Sequence, residues 1–450
     1  MTHPENALPL DAPSRDGLAA QGLRYARLDD TETDAVDRWL QAAYRGFHFD
    51  AFTDEQLVQY RAGFGPTRSI GVWDPTAAEP ESPIATVASW RSPLTLGDGR
   101  SIEAWAISLV SVAATHRRRG IARAMLEGEL RAAHAAGIPL AMLTVSEATI
   151  YGRWGFGPAA YTADYRIDAR GLRFTAPLPP GRVHRVSAAA LRELAPELMR
   201  RAHAREAGEV PFDTQQFDRM FALAARTASH AAKLRAARFD DEHGEPQGFV
   251  LYSVAEHPDD FAQHTLTVEY LSAATEAAHA ALWHYVLDQD LVATVIAAQR
   301  PVDEPLPWMV ANPRAVQTVA RREHLWLRVL DVPAALGARR YAAADHVLLR
   351  VTDALGFASG EWMLATAADG TATVTAHVGE PHDAVHHDAV HHDAAVIDLG
   401  VEALGALLLG GTPVDALRVA GRLAEGSPGS AERLERVLRP TRAPFLSTWF

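Results

Sequence analysis

At 450 residues, 48% hydrophobic and 22% charged, the chain has the composition of a globular protein and the length of two to three domains. The excess of 56 Asp and Glu over 43 Lys and Arg, a formal charge of −13, argues against nucleic acid as a main partner and favours cationic ligands. Cysteine is absent, which excludes disulfides, thiolate metal sites and a cysteine nucleophile, and no apolar run approaches the roughly 18 residues of a membrane span.

Residues 1–22 are polar and proline-containing, without the apolar stretch of a signal peptide. They are expected to form a flexible tail on a cytoplasmic protein. From 23 to about 170 strands alternate with helices, the pattern of an α/β layered domain. Within it, 104–112 places Trp105, Ile107 and Leu109 on one expected face and Ser108 and Val110 on the other, the period of a strand. Thr115-His116-Arg117-Arg118-Arg119-Gly120 follows, and then Ala122, Leu126, Leu130 and Ala133 recur at helical spacing toward Gly137, which suits a C-terminal cap. Such a strand-to-helix turn fits a pyrophosphate. Gly120 and Ala122 leave phosphate oxygens room at the backbone N–H groups of the positive helix end, and the arginines add fork-shaped donors. A second apolar run, 138–145, reads as the next strand and leads into Ser146-Glu147-Ala148-Thr149-Ile150-Tyr151-Gly152-Arg153-Trp154-Gly155-Phe156.

Past a Pro/Gly-rich linker at 175–181, helical patterns at 188–203 and 214–224 mix with strands at 249–254 and 265–271. This order suits a second copy of the first domain. Its phosphate-turn position reads Ser272-Ala273-Ala274-Thr275-Glu276-Ala277-Ala278, with no arginine, no glycine and an added carboxylate, so one active site per chain is expected. From about 325 the pattern changes to strands (326–330, 346–351, 362–366, 371–377) followed by helices (400–409, 414–423, 431–438), an α+β unit. The terminus, Pro444 to Phe450, is unusually apolar for a chain end. The repeat His382-Asp383-Ala384-Val385-His386-His387-Asp388 and its continuation to Asp393 reads as an expanded surface loop with opportunistic metal affinity, and no catalytic metal is expected.

Two motifs in this order, Arg117 to Ala122 as Arg-x-x-Gly-x-Ala and Tyr151 to Phe156 as Tyr-x-x-x-Gly-Phe, resemble the acyl-CoA site of the GCN5-related N-acetyltransferase (GNAT) superfamily. The whole layout is similar to one branch, the Eis (enhanced intracellular survival) N-acetyltransferases. Further matches are Val110-Ser111-Val112, His324-Leu325-Trp326-Leu327-Arg328, Val332-Pro333-Ala334-Ala335-Leu336 and a C-terminal Phe. The resemblance implies two tandem GNAT-like domains, at 23–170 and, degenerate, at 171–324, followed by a sterol-carrier-like domain at 325–450. It also implies a homohexamer that acetylates primary amines of cationic acceptors, aminoglycosides among them.

Carried over by residue, the resemblance implies that Val110, Ser111 and Val112 line the acetyl and pantetheine arm of acetyl-CoA. A backbone N–H there would stabilise the oxyanion. It places Arg118, Arg119, Gly120, Ile121, Ala122 and Arg123 at the pyrophosphate, and Ser146 and Glu147 beside the cofactor. Tyr151 matches the general acid; an ordinary phenol near 10 can protonate a thiolate near 8.5 while staying neutral at pH 7. The Phe450 main-chain carboxylate matches the general base, raised above its ordinary ~3.5 by desolvation. Thr448 and Trp449 lack the acid that can precede the terminal Phe, which bears on amine selectivity.

Plainer roles stand beside these: a core aromatic for Tyr151, a packed anchor for Phe450, and a solvated face for Asp29, Asp30, Glu32, Asp34, Asp37, Asp50, Asp54 and Glu55 in place of a pocket for cationic amines. The rival function is a lipid- or sterol-carrying protein with a vestigial acetyltransferase domain.

Overall fold

A computed structural model describes residues 8–62, 67–224, 227–377 and 394–450; the His-rich repeat lies outside them. In the first third the elements are α1 (Ala12–Ala19), β1 (Arg24–Arg27), α2 (Thr33–Gly46), α3 (Asp54–Ala62), β2 (Arg68–Trp73), β3 (Ala85–Gly97), β4 (Arg100–Val112), α4 (Ile121–Ala135), β5 (Leu140–Thr144), α5 (Ala148–Tyr151) and β6 (Gly157–Asp168). The next stretch repeats that order from β1 onward: β7 (Arg182–Val186), α6 (Ala188–His203), α7 (Thr214–Met220), β8 (Arg235–Asp240), β9 (Pro246–Ala255), β10 (His264–Ala273), α8 (Glu276–Leu287), β11 (Val292–Arg300), α9 (Leu306–Met309) and β12 (Val316–Val329). The duplication inferred from the sequence is therefore present element for element.

Among the described residues twelve strands form one sheet, in the order β1-β2-β3-β4-β5-β12-β6-β11-β10-β9-β8-β7. Each unit is completed by the other's last strand. β12 pairs with β5 (Leu325↔Thr144 to Val329↔Leu140), while β6 pairs with β11 (Ile167↔Val295) and the two exchanged strands pair with each other (Ala163↔Arg321). This corrects the sequence reading at 326–330, which assigned a strand to the third unit. Leu325, Leu327 and Val329 point into one core, and Trp326 and Leu330 into the other. A strand buried on both faces belongs in the middle of a sheet.

The third unit comprises α10 (Val332–Ala338), β13 (Asp345–Thr352), β14 (Gly360–Thr366), β15 (Ala372–Ala376), β16 (Ala395–Gly400), α11 (Val401–Leu407), α12 (Val414–Val419), β17 (Leu423–Glu425) and α13 (Ser430–Leu438). Its sheet runs β15-β14-β13-β16-β17. Helix α11 lies on β6 and β12 so closely that a Cβ on Gly157 would sit 1.8 Å from the Glu402 carbonyl oxygen, and one on Gly405 2.3 Å from that of Leu327. Leu140, Met142, Ala159 and Leu327 accordingly share one apolar core with Val347, Leu364, Leu404 and Leu434. Buried Arg328 reinforces the junction, donating to the Trp154 carbonyl (2.8 Å) and to Asp353 (2.6 Å).

The expected flexible tail at 1–22 also needs correction over residues 8–22. Asp11 caps α1 by accepting from the Ser14 N–H, and Pro13 occupies the first turn, where a missing N–H costs nothing. Ser14 donates to the Ala124 carbonyl at 2.7 Å, Asp11 takes two 2.9 Å bonds from Arg131, and Leu18 is buried. Beneath this strap the buried Arg68 pairs with Glu129 (3.1 Å) and donates to the carbonyls of Leu8 (2.5 Å) and Pro9 (3.0 Å).

Candidate active site

The parallel pair β4–β5 holds together over only three positions, Ala104↔Leu140, Trp105↔Ala141 and Ala106↔Met142. Beyond them β4 runs on to Val112 while β5 pairs with β12 on its other side, so a wedge opens between the two strands. A bulge drives the divergence: Leu109 and Val110 together oppose a single stretch of β3 between Thr86 and Ala88, and Leu109 has a φ of 50°. The bulge also overturns the expected alternation. Trp105 and Ile107 pack under α4 as predicted, but Leu109 turns to the opposite face, against Trp39, Leu40 and Phe52.

Val110 and Val112 pack toward α4, and the Ser111 hydroxyl is engaged by Thr86 at 2.8 Å, so these three residues offer the wedge their main chain. At its mouth lies the turn before α4. Arg118 and Gly120 both adopt left-handed conformations, at φ 65° and 75°, which gathers successive N–H groups into a concave nest. No side chain caps the 15-residue α4, so the N–H groups of its first turn, Ile121 to Arg123, are free for an anion. A Cβ on Gly120 would meet nothing within 4 Å; the space in front of the nest is open. Arg117, Arg118, Arg119 and Arg123 are exposed around it. His116 pins the turn to Asp74 at 3.0 Å, and the Thr76 hydroxyl, with His116, holds the Asp74 carboxyl well below the usual range.

The segment after β5 supplies the other wall. Ser146 and Glu147 are exposed. Tyr151 ends α5 and is 6% exposed, with Trp154 and Phe156 each 6.3 Å away between ring centroids. Burial, with Glu147 contributing, pushes its phenol up to about 12. No described residue hydrogen-bonds its hydroxyl. The last residue of the chain reaches the end of β5. Thr144, the last residue of β5, donates to the Phe450 main-chain oxygen at 2.8 Å, and the Phe450 ring meets Trp90 edge-on at 5.8 Å. Thr144 and Trp90 had no signal in the sequence, since neither falls in a motif. Of the eight acids in the α2–α3 region, seven are exposed and Asp37 is bound by Arg61 at 2.5 Å, which favours the solvated face.

The second unit shows the same splay, with β10–β11 pairing ending at Val268↔Ala297. Here it is closed: Arg300, at the end of β11, reaches across to the Leu271 carbonyl at 3.0 Å. The helix after β10 has Thr275 capping the Ala278 N–H and Glu276 in its first turn, leaving an anion fewer donors than at α4 and an unfavourable field.

Comparison with known proteins finds two acetyltransferase domains and a third of another kind. Acetyltransferase (GNAT) domain models match residues 27–159 and 213–346, and a sterol carrier protein domain model matches 332–447. An uncharacterized N-acetyltransferase of Streptomyces avermitilis is 33% identical over 434 residues, 93% of this chain and 97% of that protein. The N-acetyltransferase Eis of Mycobacterium tuberculosis is 33% identical over 262 residues, covering 56% of this chain and 62% of Eis. Among solved structures, Eis1 from Mycobacterium abscessus superposes with a TM-score of 0.78 at 27% identity, over 95% of this chain and 100% of that one. A GCN5-related N-acetyltransferase from Anabaena variabilis shares the fold at 16% identity, with a TM-score of 0.75, over 95% of this chain and 100% of that one.

Proposed function

The chain belongs to the Eis family of GCN5-related N-acetyltransferases, and from that premise we propose that it transfers acetyl directly to a primary amine of a cationic acceptor, such as an aminoglycoside, a polyamine or a lysine. The observation that supports this reading is the Phe450 main-chain oxygen held by Thr144 at 2.8 Å, at the open end of the first unit's wedge. Acetyl-CoA fits the residues present: the uncapped start of α4 and the nest at Arg118 and Gly120 suit its pyrophosphate, and the main chain of Val110 to Val112 suits its pantetheine arm. When bound, it supplies an activated acetyl thioester.

The protein's own groups then act on either side of it. Backbone N–H groups of β4 beyond the paired segment face the wedge and can donate to the oxygen that gains charge during attack. The amine arrives as an ammonium, and the Phe450 carboxylate takes its proton, directly or through water. The Tyr151 hydroxyl, neutral at any working pH, donates to the departing sulfur. Holding amine and thioester together supplies the remaining advantage. Cytoplasmic location and homohexameric assembly belong to the same proposal.

A lipid-carrying role is disfavoured by two cavities of the third unit: the leucine-lined one, between Leu336, Leu349, Leu404 and Leu434, measures about 10 Å3, room for no more than one water, and the open groove of about 520 Å3 is lined by the charged side chains of Arg350, Glu361, Asp398 and Arg422, a poor surface for an apolar chain. Two measurements test the proposal. Calorimetric titration with acetyl-CoA should give one site per chain, weakened at least tenfold by Gly120→Val. Initial rates against acetyl-CoA and amine should give intersecting lines, whereas parallel lines would show a covalent enzyme intermediate and refute direct transfer.

A further inference from the structure

After α13 the chain runs to its end without helix or strand, and the second acetyltransferase unit holds much of it. The Phe445 N–H donates to the Ala207 carbonyl at 2.8 Å. Both the N–H and the hydroxyl of Ser447 donate to Glu209 Oε2, at 3.1 and 2.9 Å, and the Tyr270 hydroxyl lies 2.8 Å from the Ser447 Oγ. His324 Nε2 is 2.7 Å from the Thr448 carbonyl oxygen, with its ring edge-on to Trp449 at 4.4 Å. Glu209 is itself fixed to the first unit. Its N–H donates to Thr95 Oγ1 and its carbonyl accepts from the Thr95 N–H, both at 2.9 Å, so the residue is tied to β3 through its backbone and to the tail through its side chain.

We propose that Glu209, assisted by Tyr270 and His324, is a positioning residue for acetyl transfer: it pins Ser447 so that only three residues remain between the clamp and the carboxylate at Thr144. The inference rests on the reading of Phe450 as the base. Three extended residues span about 10 Å, whereas the twelve residues after α13, if free, would spread their end over roughly 17–20 Å and dilute the carboxylate to millimolar effective concentration. The second unit, whose own wedge Arg300 closes, thus serves the first unit's site. Glu209 is 2% exposed, and burial pushes its carboxyl up to about 8, so it is largely neutral at pH 7. Gln is then a close mimic, offering Ser447 the same carbonyl acceptor.

The test uses the full chain with Glu209→Ala, Glu209→Gln and Ser447→Ala, each read in two ways. Trimming by a carboxypeptidase, followed by intact mass, reports whether the tail is pinned irrespective of activity. Turnover of untrimmed protein with acetyl-CoA and an amine gives kcat and KM. The expected result for Glu209→Ala is trimming at least tenfold faster and a kcat lowered about 10–100-fold, with the acetyl-CoA KM within about twofold. Ser447→Ala, which removes one hydroxyl and keeps the Ser447 N–H bond to Glu209, should show the same pattern at about 3–10-fold, and Glu209→Gln should match wild type in both. Trimming at the wild-type rate in both alanine variants would overturn the clamp. Fast trimming beside an unchanged kcat would overturn its role in catalysis. Loss of the Phe450 assignment would register separately, as full kcat in a chain ending at Trp449 whatever the trimming rates.

Discussion

Replacing Tyr151 with Phe removes one hydroxyl from a ring that is 6% exposed and leaves its packing on Trp154 and Phe156 in place. No described residue hydrogen-bonds that hydroxyl, so the fold should lose little. The chemistry should lose more, and by an amount the environment sets. With the phenol pushed up to about 12 and a thiol near 8.5, complete proton transfer to the leaving sulfur is uphill by about 5 kcal/mol. Donating a hydrogen bond as charge gathers on sulfur is the cheaper role, and a charge-assisted bond contributes about 1.5–3 kcal/mol, or roughly 10–150-fold in rate. Tyr151→Phe should therefore lower kcat about 10–100-fold and leave acetyl-CoA affinity within about twofold. Because the phenol stays protonated across the working range, both proteins should give pH–rate profiles of one shape between about pH 6 and 10, displaced in height. The assay is CoA release at saturating amine. A variant within about twofold of wild type, or an alkaline limb that disappears with the hydroxyl, would refute the reasoning.

Three further outcomes follow from the packing and the buried charges. Gly157→Ala places a Cβ 1.8 Å from the Glu402 carbonyl oxygen, and since rigid backbone must move, it should cost about 3 kcal/mol or more, read as a lowered urea midpoint. Arg68→Ala leaves Glu129 buried without its cation and should cost about 3–5 kcal/mol, much of it recovered by adding Glu129→Gln. Glu209 holds its proton to about pH 8 in the folded chain but releases it near 4.5 when unfolded. Between those values the folded state binds more protons, so stability falls as pH rises through the window and levels off above it. Burial shifts neighbouring Glu206 the same way, whereas His203 and His324, lowered to about 4, stay neutral in the folded chain but take up protons near 6.5 when unfolded, so their contribution to stability grows as pH rises toward that value. Subtracting the melting temperature at pH 5 from that at pH 8.5 should give a more positive value for Glu209→Gln than for wild type; equal values would contradict the buried neutral carboxyl.

What could be read from the sequence was local. The turn at Arg117 to Gly120, helix α4 with its apolar stripe, and β13 to β15 of the third unit announce themselves through period and punctuation, and Tyr151 through its motif, whereas β16 and the short β17 do not. Partner choice was not legible. That β12 lies beside β5, some 180 residues earlier, depends on two faces being buried by elements far away in the chain, and the strand exchange leaves no trace in any short window. Strict alternation puts Leu109 on the wrong face, because one bulged residue reverses the pattern after it. The strap at 8–22 looked like a tail because its composition is polar; Asp11 and Pro13 were a cap signal, but the helix gains its stability from Arg131, Ala124 and Arg68 rather than from itself. Phe450 was reached through family resemblance alone, and Glu209 not at all, since a single acid beside Val210 carries no pattern until the tail folds over it.

The most direct test of the account is CoA release from acetyl-CoA with a panel of polyamines and aminoglycosides, comparing the intact chain with one ending at Trp449. Removing Phe450 withdraws the carboxylate by about 3.5 Å and leaves the phosphate turn untouched. The account predicts that the intact chain acetylates at least one amine, and that the shortened chain binds acetyl-CoA as tightly but turns over at least tenfold more slowly. An intact chain that binds acetyl-CoA and acetylates nothing, or a shortened chain with undiminished turnover, would contradict it.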